Sequence, residues 1–207
     1  MNTYEVENRN EHLERFEWDE VWWELANRPG MSRVLYIGDS ISVGTRRRAT
    51  AAAENSLLFD GVATSKAVDN PYFPETIRLF ARQQSERCAV LFNNGLHGAH
   101  LEDQTSYKQA YESLLNFILK EFENTPVFLV LSTGVSNEDR NNRVIARNKA
   151  VLELAAKYQL PVIDLYSVVD AHRELISPDG VHLVPEGYEL LAKEIVTQVK
   201  KVLEIDG

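Results

Sequence analysis

Five short apolar runs, at residues 34–37, 56–59, 89–92, 127–131 and 162–165, are separated by longer segments with helical spacing. Runs this short do not make helices, and they lack the polar alternation of a strand with one wet face. They read as strands buried on both faces of a parallel sheet. Between them Tyr107, Tyr111, Leu114, Leu115, Ile118, Leu119 and Phe122 recur at helical intervals, as do Val144, Ile145, Asn148, Val151, Leu152, Leu154 and Ala155. Parallel neighbours need crossover connections, so the alternation predicts a doubly wound α/β sheet. Leu190, Leu191, Ile195, Val199 and Leu203 lie at amphipathic spacing after Pro185 and form a closing helix.

A chain of 207 residues fits one domain with a sizeable core. Ahead of the first run, Trp18, Val21, Trp22 and Leu25 share one face of a predicted helix ending near Asn27-Arg28-Pro29-Gly30. Residues 1–30 therefore read as an N-terminal helical extension packing on a domain of residues 31–207. Its aromatic face, with Trp23 beside it, serves as a cap, as a wall of a ligand cleft or as a homodimer contact.

Composition excludes several classes. A formal charge of -9 does not suit neutralisation of a phosphate backbone, so no nucleic-acid partner is expected. Arg46-Arg47-Arg48 reads as a solvated helix face. One cysteine, Cys88, excludes an internal disulfide and any cysteine-rich zinc site, and its place beside an apolar run predicts a buried thiol. Residues 1–20 are polar and acidic, without a secretory pattern, and no run reaches the roughly 18 apolar residues of a membrane span. A cytoplasmic protein with no membrane partner is the expectation.

The chemistry-bearing residues sit at two ends of the chain. Gly38-Asp39-Ser40 follows the first run, and ligands of parallel α/β sheets bind where helices leave the carboxyl ends of strands. A serine there sits among helix N-terminal N–H groups that favour a developing oxyanion. Alone, the triplet reads as a helix cap. Asp179 and His182, three apart in a Pro-Asp-Gly turn before the last helix, change that. The carboxylate binds one imidazole nitrogen while the other faces a serine.

With these two blocks the chain resembles the SGNH, or GDSL, hydrolases, whose first block is Gly-Asp-Ser and whose last is Asp-x-x-His. The resemblance spans about residues 32–203. It implies a three-layer α/β/α, flavodoxin-like fold with a five-stranded parallel sheet, Ser40 as nucleophile, His182 as general base and Asp179 as its orienting partner. Family members complete an oxyanion hole around the serine N–H with a second-block glycine N–H and a third-block asparagine. Here the third block reads Phe92-Asn93-Asn94-Gly95-Leu96-His97-Gly98, and aligning Gly95 with the family glycine puts His97 where the asparagine stands. Asn94 is the alternative donor. Gly61 and Ser65 compete as the second-block donor.

Asp39, Asn94, Asn141 and Arg143 are the expected substrate contacts. No metal or other cofactor is expected: His97, His100 and Glu102 make a weak zinc pattern, and no glycine-rich phosphate loop follows a strand. The resulting expectation is a serine esterase acting on a small ester, with O-acetyl groups on a carbohydrate preferred. A thioesterase or acyltransferase using the same triad, and a non-catalytic binding module, are the alternatives.

Overall fold

The computed structural model describes residues 16–84 and 86–205. Strands β1 (Asp19–Trp22), β2 (Arg33–Gly38), β3 (Leu58–Thr64), β4 (Ala89–Phe92), β5 (Val127–Val130) and β6 (Val162–Ile163) form one sheet in the order β1-β3-β2-β4-β5-β6. From β2 to β6 every pairing is parallel, as the apolar runs predict.

Alternation along each strand divides the core into two layers. Leu35, Ile37, Val90, Phe92 and Leu129 face helices α2 (Phe73–Ala81), α3 (Gln104–Glu121) and α4 (Glu138–Tyr158). Val34, Tyr36, Leu91, Phe128 and Val130 face α1 (Ser40–Ala52), α5 (Leu165–Asp170) and α6 (Pro185–Val202). The class is thus three-layer α/β/α. Among the described residues no helix is long and apolar enough to cross a membrane.

The strand order reverses at β2. Its successor β3 lies on one side and β4 on the other, so the loops leaving β2 and β4 diverge and open a crevice at their carboxyl ends. Ser40 begins α1 at that point.

Three sequence expectations need correction. The helix expected through Trp18, Val21, Trp22 and Leu25 is instead strand β1, antiparallel to β3, followed by a turn in which Leu25 has φ 45°. The sheet therefore has six strands rather than five; residues 1–15 of the expected extension lie outside the described ones. A buried ion pair explains the turn. Arg33 Nη1 donates to Asp60 Oδ1 at 2.9 Å and to the Glu24 carbonyl at 3.0 Å, and Nη2 donates to the Leu25 carbonyl at 3.1 Å. The Glu24 N–H donates to Asp60 Oδ1 at 2.8 Å. These groups meet only when the chain before β2 doubles back along β3. Arg46, read as part of a solvated face, is also buried, bonded to Glu20 and packed over Gly61 of β3.

Helices α1 and α6 run together because Gly44 leaves a notch for Tyr188. A Cβ on Gly44 would lie 2.3 Å from Tyr188 Cε1, inside the ring's van der Waals surface. This contact fixes the separation of the two helix starts, which carry Ser40 and the loop holding His182. Gly44→Ala is expected to destabilise the protein by about 1–2 kcal/mol, overpacking outweighing the helix propensity alanine gains. A lowered urea midpoint at unchanged slope is the measurement that checks this.

Candidate active site

Ser40 stands at the first position of α1, and its neighbour Asp39 is the cap: Asp39 Oδ1 accepts the Ile41 N–H at 2.9 Å. Capping takes up one of the first-turn amides that have no acceptor within a helix. The Ser40 N–H belongs to the same turn. Asp39 is fully buried, and burial pushes its carboxyl above the usual range, opposed by His97, the Ile41 N–H and His182.

The last block folds into a tight turn closed on itself. Ser177 N–H donates to the His182 carbonyl at 2.8 Å, Ile176 bridges Leu183, and Gly180 takes a φ of 77° that favours glycine. Asp179 Oδ1 accepts from the Val181 N–H at 2.8 Å, the His182 N–H at 2.9 Å and the Ser177 hydroxyl at 2.9 Å. Its other oxygen lies 2.7 Å from His182 Nδ1. The Val181 N–H above all, then the His182 imidazole and N–H and the Ser177 hydroxyl, hold this carboxyl far below the usual carboxylate range. An ionised Asp179 accepts but cannot donate, so the Nδ1 hydrogen points to it and Nε2 keeps a free lone pair. Nε2 lies 2.8 Å from Ser40 Oγ, across a sequence separation of 142 residues. The hydroxyl thus donates to an imidazole whose tautomer the carboxylate has set.

Around this line opens a cleft of about 730 Å³, bounded by Trp18, Ser40, Leu96, His97, Ala99, Arg140, Arg143, Asp179, Val181 and His182. Of the residues singled out in the sequence, Ser40, His97, Arg143, Asp179 and His182 are brought together here. Trp18 lines the cleft as a residue preceding β1, which gives its ring the cleft-wall place without the helix.

Five expected site residues are elsewhere engaged. Gly61 lies inside β3, paired with Tyr36 and Trp22, and its missing side chain makes room for Arg46. The Ser65 N–H, the competing second-block donor, is bonded to the Trp18 carbonyl at 3.1 Å. Asn94 is buried, with its amide donating to the Lys66 carbonyl at 2.8 Å. Asn141 accepts the Val135 N–H and donates to the Tyr166 hydroxyl, both at 3.1 Å, which braces the loop after β5. Asp39 has no exposed surface through which to touch a substrate.

The residue missed in the sequence is Arg147. It is 3% exposed, stacks at 4.5 Å on the Tyr107 ring, and donates to four carbonyls of the loop after β4. These belong to Gly95 at 3.1 Å, His97 at 2.5 Å, Gly98 at 2.6 Å and Leu101 at 3.1 Å. The Tyr107 hydroxyl donates to the Asn94 carbonyl in the same loop. The loop carrying His97 is therefore held from beneath by a side chain of α4. The available signal was an arginine inside the apolar stripe Val144, Arg147, Val151, where a helix otherwise buries aliphatic groups.

No protein-family model matches the chain. It is 24% identical over 171 residues to the peptidoglycan O-acetyltransferase OatA of Listeria monocytogenes serovar 1/2a, covering 83% of the chain and 24% of that protein. The chain thus spans about a quarter of that relative's length. A member of the lipolytic G-D-S-L family from Veillonella parvula superposes with a TM-score of 0.64 at 19% identity, over 80% of this chain and 97% of that one. A carbohydrate esterase family 3 structure from Talaromyces cellulolyticus does so with a TM-score of 0.64 at 14% identity, over 86% and 100%. The fold is that of the SGNH, or GDSL, hydrolases, and the chain carries the first and last sequence blocks on which its resemblance to them rests.

Arg147→Met keeps most of the volume and removes every donor to the loop. It is expected to destabilise the protein by about 3 kcal/mol, since charge-assisted bonds are lost and buried carbonyls are left unpaired. Hydrogen exchange should rise at residues 95–101 more than in β2 or β4.

Proposed function

We propose that the protein is a serine esterase that hydrolyses a small carboxylic ester, with O-acetyl groups on a carbohydrate as the preferred substrates. The observation that carries this is the hydrogen-bonded line from Asp179 through His182 to Ser40, opening into a cleft. In this reading Ser40 Oγ attacks the acyl carbon as His182 Nε2 takes its proton, and Asp179 stabilises the imidazolium formed. The tetrahedral oxyanion is held by the Ser40 N–H and by His97, which lines the same cleft. His182 then returns the proton to the departing alcohol oxygen, and water, activated by the same imidazole, releases the acid from Ser40.

The second-block donor of the family is left out of this proposal, because Gly61 and the Ser65 N–H are both engaged elsewhere. Asn94 is left out because its amide is bonded to Lys66. Support for an acetylated sugar comes from the names of similar proteins, a carbohydrate esterase and a peptidoglycan O-acetyltransferase. The latter also favours a second reading, acyl transfer, in which a sugar hydroxyl replaces water in the second step. The two readings separate on whether added saccharide diverts the acetyl group from acetate to an O-acetylated sugar.

Ser40→Ala is expected to abolish turnover of 4-nitrophenyl acetate while leaving the circular dichroism spectrum unchanged; residual turnover at the wild-type rate would overturn the assignment. Removing one oxyanion donor by His97→Ala is expected to raise the barrier by about 2.7–4 kcal/mol, a fall in kcat of roughly 100- to 1,000-fold. Steady-state kinetics on the same ester check it.

A further inference from the structure

Arg140 and Arg143 lie three residues apart on the first turns of α4, and both line the cleft that holds Ser40, His97 and His182. That spacing puts them on one helix face. Neither side chain makes an ion pair or a hydrogen bond with any described residue, whereas Arg33, Arg46, Arg78 and Arg173 each have a carboxylate partner. The contrast matters in a chain with 31 acidic and 22 basic residues, where a carboxylate partner is easy to supply. The acidic groups in the vicinity are Glu138 and Asp139 on the same helix turn, Glu102 across the adjoining crevice, and Asp179. None is ion-paired with either arginine, and Asp179 is bonded to His182.

We propose that Arg140 and Arg143 recognise an anionic group on the alcohol portion of the ester, so that the substrate is an acylated acidic molecule such as a carboxylate-bearing sugar. This rests on the esterase reading for the placement of the scissile bond. An acetyl group at Ser40 fills a small part of about 730 Å³, and most of the cleft holds the alcohol. Guanidinium groups bind carboxylates through paired, charge-assisted hydrogen bonds that a neutral hydroxyl cannot match. Trp18, Leu96, Ala99 and Val181 supply the apolar walls of the same cleft. Among the described lining residues of the cleft, Arg140 and Arg143 are the two lysine or arginine side chains.

The test compares 4-acetoxybenzoate with its neutral methyl ester, two acetyl esters that differ by one negative charge on the alcohol side. The double variant R140Q/R143Q is expected to lose roughly tenfold or more in kcat/KM on the anionic ester and less than twofold on the neutral one. Added salt should lower the wild-type rate on the anionic ester alone. Equal loss on both esters, or loss on neither, overturns the proposal. Binding of both esters to Ser40→Ala protein, followed by calorimetry with and without the arginine substitutions, reads the charge preference without turnover. If the wild type cleaves neither ester, the esterase reading fails, and the arginine proposal is then decided by that binding measurement. Charge-selective binding lost with R140Q/R143Q upholds it, and binding indifferent to charge ends it.

Discussion

Asp179 accepts four hydrogen bonds, from the Ser177 hydroxyl, the Val181 and His182 N–H groups and the His182 imidazole. The first three make the turn, and the fourth uses the turn to aim a side chain. One carboxylate thereby fixes both the backbone that presents His182 and the tautomer that His182 holds. Its own pKa moves with the same bonds, so it stays ionised where an ordinary aspartate would begin to protonate. What remains is to bring this self-contained turn to Ser40, and that is done by packing. The Tyr188 ring occupies the space left by Gly44, which docks α6 along α1 and sets the first residues of the two helices side by side.

The loop after β4 is organised by a different physics. A loop leaving a buried strand carries carbonyls that water does not reach, and these need donors. Arg147 and Tyr107 supply them from α4 and α3. A helical arginine buried among aliphatic neighbours is costly unless its donors find acceptors, and four loop carbonyls engage both terminal nitrogens of Arg147. The position of His97 in the cleft is thus a consequence of residues outside the motif that carries it.

What was legible in the sequence was what is local. Alternating apolar runs and amphipathic segments gave β2 to β6 and the helices between them, since burial on both faces of a strand is written in consecutive residues. Asp179 and His182 were legible for the same reason, as three-residue neighbours in a glycine turn. The spacing of Trp18, Val21, Trp22 and Leu25 fits a helix, yet a four-residue edge strand is decided by its partner. That partner is β3, whose Asp60 lies 36 residues from Glu24 and joins Arg33 in holding the turn. The residue just before that edge strand removes Ser65 from the site, because the carbonyl of Trp18 takes its N–H. Backbone donors have no residue signature, and both competing second-block positions could be set aside only once the pairing around β3 was known. Arg147 was overlooked because a charged residue on a helix reads by default as solvated.

The central claim is that His182, held by Asp179, makes Ser40 a nucleophile. The direct measurement is intact-protein and peptide mass spectrometry after exposure to a fluorophosphonate. A single adduct located on Ser40, lost in His182→Ala protein that remains folded, is the expected result. No adduct on folded wild-type protein, or labelling of Ser40 that persists unchanged without His182, would contradict it.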